Sequence, residues 1–290
     1  MGKPTFLCIG GQRCGTTRLH RVLDAHPLVS MTQAGVDAMN KEIHYFDQYV
    51  LNQPLSWYES HFCSHGITGE ITPAYSILPD QAVQAISNYL PESKIIFIVR
   101  NPLDRIWSQI RMMRSAWGVA EMKSVQLQQL IGLFDSPAVV WRSDYVKTLQ
   151  RWQQWFGPDR LLVLTFDQAL TNIGLRQIFR HIGDRSEWLP SEQESGKVFS
   201  SPQADIPQEL RWLVSMRWLD MLQDLLRFDL PVLPWMEEMK MDLSSMPPSF
   251  PGHVDDIRIQ QADSICEKWT AAINHQERLS EMIFKRLSSV

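Results

Sequence analysis

Residues 5–17 read Thr5-Phe6-Leu7-Cys8-Ile9-Gly10-Gly11-Gln12-Arg13-Cys14-Gly15-Thr16-Thr17, and this stretch decides the fold. The apolar run from Thr5 is the pattern of a short buried strand, and Gly10-Gly11 closes it in a turn. Thr16 to Ala25 then carries Leu19, Val22 and Leu23 at helical spacing, so a helix leaves the turn, and Pro27 ends it. A strand, a glycine turn and a helix in succession make an anion cradle. Glycines let the backbone approach the anion, and the helix N-terminus offers N–H groups that lack intrahelical partners.

The alternation continues outward from this turn. Ile67 to Thr72 reads as a strand closed by Pro73, and Asp80 to Leu90 as a helix with Val83, Ile86 and Leu90 on one face and Asp80 as its N-cap. Lys94 to Arg100 (KIIFIVR) is the clearest buried strand. Asn101-Pro102 opens a helix that turns Leu103, Ile106, Trp107 and Ile110 inward, with proline where its missing N–H costs nothing. Ser143 to Phe156 is a helix stopped by Gly157-Pro158, Leu161 to Phe166 a strand, and Ile173 to Ile182 a helix ended by Gly183. Strands alternating with helices imply a parallel sheet, here of about four or five strands, covered on both faces. Beyond residue 185 the strands stop. Residues 207–229 and 255–287 read as amphipathic helices, separated by a Pro- and Met-rich loop from Met239 to Pro251. The expected organisation is one domain over 1–290, with a core over about 5–205 and a helical part over about 206–290. Trp141, Trp152, Trp155, Trp212 and Trp218 fall mostly at helical core positions.

Composition removes several classes of function. Lys+Arg is 28 and Asp+Glu 32, a net charge of −4, which argues against holding nucleic acid through a general basic surface. Hydrophobic residues make up 44% and charged residues 21%, which excludes a mainly disordered chain. Cys8, Cys14, Cys63 and Cys266 are scattered with no C-x-x-C pair, so neither a zinc ribbon nor a secreted disulfide framework is expected. No run long and apolar enough to span a membrane is present, and the N-terminal residues lack the pattern of a secretory leader. A cytoplasmic location is the expectation.

The turn departs from the nucleotide P-loop, G-x-x-x-x-G-K-[ST], in one informative way. Gly10, Gly15 and Thr17 match, but Thr16 stands at the lysine position and the basic residue is Arg13. The P-loop lysine serves β- and γ-phosphates together with magnesium, whereas Arg13 inside the loop suits one phosphate with a neighbouring leaving oxygen. A second basic signal ends the KIIFIVR strand. Arg100 stands there, and Ser108 follows on the next helix. Ligands of parallel sheets bind outside the carboxyl ends of the strands, so the pair has the place and chemistry to clamp a second phosphate.

Together these segments resemble the sulfotransferase family that uses 3′-phosphoadenosine 5′-phosphosulfate, in its bacterial and glycan-type branch. The family's GxxRxGTT turn is GGQRCGTT here, and its R-x-P-x-x-R-x-x-S motif is RNPLDRIWS from Arg100 to Ser108. The resemblance covers roughly residues 5–205 and implies a P-loop-like α/β fold. It assigns the donor's 5′-phosphosulfate to Arg13, Cys14, Gly15, Thr16, Thr17 and Arg18, and the 3′-phosphate to Arg100 and Ser108. Lys197, with Ser200 and Ser201, stands where the family has a basic loop over the 3′-phosphate. The product is adenosine 3′,5′-bisphosphate, and no metal is called for.

Lys41-Glu42-Ile43-His44-Tyr45-Phe46 is similar to the family's K-E-x-H-[FY]-F segment, whose glutamate is the proposed general base. In an extended stretch Glu42 and His44 project to the same side, and either can take an acceptor's proton. The resemblance favours Glu42, with Arg13 and His44 completing the catalytic set. Gly69-Glu70-Ile71-Thr72-Pro73-Ala74-Tyr75 resembles G-E-K-[ST]-P-x-Y, with Ile71 in place of the lysine, which argues against a heavily anionic glycan. The partners implied are the nucleotide donor and an acceptor hydroxyl or amine on a small molecule, carbohydrate or carrier-bound metabolite. Two rivals are a P-loop kinase or nucleotidase, disfavoured by Thr16, and a non-catalytic nucleotide-binding module, disfavoured by Glu42.

Overall fold

The computed structural model describes residues 2–32, 41–113, 126–191 and 206–288. In chain order the strands and α-helices are β1 (Phe6–Cys8), α1 (Thr16–Asp24), β2 (Val29–Met31), α2 (Leu55–Glu59), β3 (Ile67–Ile71), α3 (Asp80–Tyr89), β4 (Lys94–Val99), α4 (Pro102–Met113), α5 (Leu127–Phe134), α6 (Pro137–Ser143), α7 (Tyr145–Phe156), β5 (Leu161–Thr165), α8 (Phe166–Ala169), α9 (Asn172–His181), α10 (Gln208–Leu225), α11 (Leu233–Ser244), α12 (Phe250–Gln260) and α13 (Ala262–Leu287). The chain divides into two compact units that do not follow sequence order. One comprises Met1–Arg100, Lys147–Phe199 and His275–Val290, and the other Asn101–Val146 and Ser200–Asn274.

The first unit holds the sheet. Its five strands lie in the order β2-β3-β1-β4-β5, all parallel, with Cys8 beside both Ile71 and Ile96, and Val99 beside Thr165. The chain starts at the centre, fills one side through β2 and β3, then crosses to β4 and β5. The loops after β1 and β4 therefore flank the point where the strand order reverses, the place where open parallel sheets take their ligands. On one face Leu19, Val22 and Leu23 of α1 join Leu175, Ile178 and Phe179 of α9 over Phe6, Cys8, Ile71, Ile96, Ile98 and Leu164. Burying each large apolar side chain contributes roughly 1.5–3 kcal/mol, which makes this layer a rigid base for the loops above it. Elsewhere in the unit α7 is tied to the residues before α3, with Thr148 Oγ1 donating to the Ser76 carbonyl at 3.2 Å and Arg151 to the Leu78 carbonyl at 2.9 Å.

The second unit is helical. Asp135, just past α5, is its polar centre. Its carboxylate accepts from Arg217 of α10 and Arg258 of α12, and its carbonyl from Trp269 of α13. Asn101 caps α4 by accepting the Leu103 N–H at 3.0 Å, and its amide donates to Glu238 of α11 at 3.0 Å.

Four expectations need correction. Asp80 is the first residue of α3 and not its cap; Pro79 holds that position, and the Asp80 carboxylate accepts from the Trp155 indole instead. The stretch from Met239 is not a loop up to Pro251. Pro234 opens α11 and the helix runs to Ser244, because Met is a good helix former and Pro247-Pro248 come only later. Residues 255–287 are two helices, α12 and α13, rather than one. Of the five tryptophans expected in the core, Trp152 and Trp218 are buried, while Trp141, Trp155 and Trp212 are half-buried.

Candidate functional site

The turn after β1 is stitched to β4. Ile9 N–H donates to the Ile96 carbonyl and Gly11 N–H to the Ile98 carbonyl, each at 3.0 Å. Gly11 is needed because a Cβ there would lie 2.7 Å from Cys14 Sγ and 3.0 Å from the Ile98 oxygen. Gly15 is needed twice over. It has φ +81°, and a Cβ would sit 2.9 Å from the Phe166 ring. Gly15 also occupies the N-cap of α1, so no side chain caps that helix, and its first-turn amides at Thr16 and Thr17 are of the kind that can serve an anion. The cradle fits a phosphate group on these grounds.

Arg13 is exposed and has φ 70°, a left-handed conformation rare for a side chain of this size. That twist turns its carbonyl toward β4, where Arg100 Nη1 donates to it at 3.1 Å. The Arg100 guanidinium lies 4.6 Å over the Phe166 ring, the same ring that backs Gly15. Arg100 is buried, at 8% exposure, yet stands at the carboxyl end of β4 beside the phosphate turn. The two basic motifs are thus brought together within the first unit. Ser108 belongs to the second unit, on α4, and is buried rather than solvated. Arg105, the other arginine of that motif, is fully buried and donates to Gln109 and Ser143, a structural role. Lys197, Ser200 and Ser201 lie outside the described residues.

Glu42 and His44 do meet, but not through an extended strand. Residues 41–44 are irregular, and His44 has φ 55°. The left-handed residue swings the imidazole so that Nε2 lies 3.1 Å from Glu42 Oε2 and Nδ1 lies 2.8 Å from Asp47 Oδ2. Lys41, itself buried, bonds Glu42 Oε1. Burial acts to lower the His44 pKa, but the bonds to Asp47 and Glu42 outweigh it and raise it to about 10. Burial acts to raise the Glu42 pKa, but the His44 bond and the Lys41 charge outweigh it and hold the carboxyl below its ordinary value. At neutral pH the pair is an imidazolium donating on both sides and a carboxylate. Glu42 is the member of that pair able to accept a proton.

The sequence of residues 44–187 matches the profile described as Sulfotransferase family. The matched stretch starts at His44 and includes the segments from Gly69 to Tyr75 and from Arg100 to Ser108. The chain belongs to the sulfotransferase family, a family of transferase enzymes.

Several relatives share that assignment. The chain is 33% identical over 112 residues to the membrane-associated sulfotransferase kil1 of Dictyostelium discoideum, a match spanning 37% of this chain and 22% of that protein. It is 27% identical over 186 residues to the human bifunctional heparan sulfate N-deacetylase/N-sulfotransferase 2, covering 58% of this chain and 20% of that one. It is 26% identical over 174 residues to the mouse heparan sulfate glucosamine 3-O-sulfotransferase 6, covering 58% and 48%. The chain thus spans about a fifth to a half of the length of these relatives. Among solved structures, a sulfotransferase from Alicyclobacillus acidocaldarius superposes with a TM-score of 0.58 at 16% identity, over 87% of this chain and 100% of that one. Its fold is the parallel sheet with helices described above.

In this sulfotransferase fold three residues to which the sequence gives no role meet the candidate site. Phe166 backs both the turn and Arg100, and its only signal was its place at the end of a strand. Asp47 holds the far side of His44, three residues on, a contact that requires the left-handed turn at His44. Glu70 is completely buried and accepts hydrogen bonds from three hydroxyls. Among the described residues no helix is long and apolar enough to cross a membrane, and no cluster of three or more His, Cys, Asp or Glu side chains is gathered to hold a metal.

The ion-bonded His44 has a consequence for stability. A group with a raised folded pKa stabilises the native state below its ordinary value of 6.5 and loses that contribution as pH climbs through about 10. His44→Ala is therefore expected to flatten the decline of stability between about pH 7 and pH 10, read from urea melts at both pH values. An unchanged slope would show that the imidazole is not held as the charged form.

Proposed function

We propose that this chain transfers the sulfonate group of 3′-phosphoadenosine 5′-phosphosulfate to an acceptor hydroxyl or amine. Supporting this reading most directly is the pairing of an uncapped glycine cradle carrying Arg13 with Arg100, which donates to the Arg13 carbonyl at 3.1 Å. The cradle, with Arg13 and the residues from Cys14 to Arg18, takes the 5′-phosphate and bridging oxygen. Arg100 takes the 3′-phosphate, and the sequence motif adds Ser108 and Lys197 to that role. The acceptor oxygen or nitrogen attacks sulfur in line with the bridging oxygen. The new bond to sulfur forms as the bridging S–O bond breaks, and its electron pair stays on the phosphate of adenosine 3′,5′-bisphosphate. Glu42 receives the acceptor's proton. A carboxylate of low basicity suffices, because the attacking group becomes strongly acidic as its bond to sulfur forms. Arg13 and the turn amides stabilise the charge that gathers on the leaving phosphate.

Residues 1–290 act in this reading as one sulfotransferase domain. Cys8 and Cys14 are both buried and in no disulfide, in keeping with the reducing cytoplasm that this reading expects. Ile71 occupies the place of the lysine seen in the glycan-type motif and is fully buried, which favours an uncharged or weakly charged acceptor. The test is label transfer from radiolabelled donor to a panel of phenols, amino sugars, neutral saccharides, sulfated glycans and carrier-bound hydroxy acids. Transfer to any of these supports the reading, and stoichiometric labelling of none alongside ATP hydrolysis would refute it.

Arg100→Ala separates two roles for that residue. Loss of a charge-assisted contact costs about 1.5–3 kcal/mol, so affinity for adenosine 3′,5′-bisphosphate should fall by roughly tenfold or more while affinity for the 5′-monophosphate changes little. Calorimetry with both nucleotides checks this. Equal losses for both would leave Arg100 as a brace for the Arg13 carbonyl and nothing more.

A further inference from the structure

The segment carrying Glu42 and His44 is held from beneath by a buried carboxylate. Glu70 lies on β3, in register with Leu7 of β1, and is wholly removed from solvent. Three hydroxyls serve it. Tyr58 Oη donates to Oε1 at 2.6 Å, Thr72 Oγ1 to Oε2 at 2.7 Å, and Tyr75 Oη to Oε2 at 3.3 Å. With its hydrogen committed to Glu70, the Tyr75 oxygen turns its lone pairs to the chain above. It accepts the Tyr45 N–H at 2.9 Å and the Phe46 N–H at 3.4 Å. Those are the two residues directly after His44.

His44 needs such support. A non-glycine residue at φ 55° costs roughly 1–3 kcal/mol and persists only where its surroundings over-determine it. On its C-terminal side the His44 carbonyl accepts the N–H groups of Gln48 and Tyr49, each at 3.0 Å, and the next two amides end on Tyr75. The rings of Tyr45, Phe46, Tyr58 and Tyr75 pack around the same point, so the hydroxyls are shielded from competing water.

We propose that Glu70 and Tyr75 are positioning residues for sulfonate transfer: the Glu70 carboxylate fixes the Tyr75 hydroxyl, which holds the Tyr45 and Phe46 amides and so keeps His44 in the backbone conformation that aims it at Glu42. This rests on the reading of Glu42 and His44 as part of the transfer machinery. Glu70 touches no reacting atom and acts only through Tyr75. Burial raises the Glu70 pKa to about 7 against the pull of its three hydroxyl donors. Its repulsion by Asp47 couples it to the group that holds the far side of His44.

Tyr75→Phe removes one oxygen from this chain of contacts, and Glu70→Gln replaces an acceptor by a donor without changing volume. Misplacing a reacting group by a fraction of an ångström to one ångström costs about 10–100-fold, so each variant should lose that much turnover. Affinity for adenosine 3′,5′-bisphosphate should stay within about twofold, since neither residue belongs to the cradle. The double variant should be no slower than the worse single one, because the two act in series. Tyr89→Phe is the control: that tyrosine also donates to a carboxylate, Glu59, at 2.7 Å.

A second readout needs no acceptor. The His44 imidazole, followed by NMR, should titrate lower in Tyr75→Phe and Glu70→Gln than in the wild type, and the wild-type Tyr45 and Phe46 amides should exchange as slowly as those of β1. Wild-type turnover and an unmoved His44 titration in both variants would overturn the proposal, as would equal effects from Tyr89→Phe. So would fast exchange of the two amides, a result that stands even if a variant fails to fold. If Glu42→Gln is fully active, the base assignment fails by itself, and the His44 titration still decides whether Tyr75 and Glu70 position that segment.

Discussion

Glu42→Gln is expected to lower turnover by about 10²–10⁴-fold while affinity for adenosine 3′,5′-bisphosphate is nearly kept. The glutamine fills the same volume but cannot take a proton. In the wild type His44 does not compete for this role, since Asp47 and Glu42 together hold the imidazole in its charged form, with both nitrogens donating. Steady-state turnover and calorimetry on the same preparation check the two halves of the statement. A near-normal rate in Glu42→Gln with an inactive His44→Ala would transfer the role to the histidine. The pH profile carries a further sign. The Glu42 pKa is lowered, so the base itself stays ionised from neutral pH down to below the ordinary carboxyl value of 4.5, and a fall in activity that sets in near pH 7 reports Glu70 rather than Glu42.

Arg13→Ala should cost about 10²–10³-fold in turnover and much less in donor affinity. The leaving phosphate gains charge only as the bridging bond breaks, so a cation beside it matters most in the transition state. The exposed side chain of Arg13 leaves the turn at the point where Gly11 and Gly15 bring the backbone closest to its neighbours. Arg13→Lys should recover part of the rate, because charge is restored and the planar fork is not. Both kinetic constants measured for all three forms would check this. Equal losses in donor affinity and turnover would instead make Arg13 a ground-state binding residue.

How far the sequence reveals this arrangement depends on how local each interaction is. The turn was legible because glycine spacing and the strand-to-helix switch are properties of a dozen neighbouring residues. The sheet was legible because parallel strands buried on both faces give continuous apolar runs, as KIIFIVR does. The C-terminal helices were less so. In α11 the apolar residues Trp235, Met236 and Met239 gather on one side, but nearby prolines and methionines give the stretch the look of a loop. Glu42 and His44 meet, but by a route other than alternation. Alternation on an extended segment predicted a shared face, whereas a left-handed residue makes the contact, and that same residue recruits Asp47. Glu70 offered no periodic signal at all. Its meaning comes from Tyr58, Thr72 and Tyr75, which converge on it only in the folded chain.

Binding of the desulfated nucleotide tests the use of this donor most directly, because it requires no knowledge of the acceptor. Calorimetry of the wild-type protein in excess EDTA would compare adenosine 3′,5′-bisphosphate with the 5′-monophosphate and with ATP. Use of the phosphosulfate donor requires that the bisphosphate bind at least about tenfold more tightly than either, with no dependence on the chelator. Equal affinities for the bisphosphate and monophosphate, or tight ATP binding that appears only with magnesium, would contradict it and point to a nucleotide triphosphate site instead.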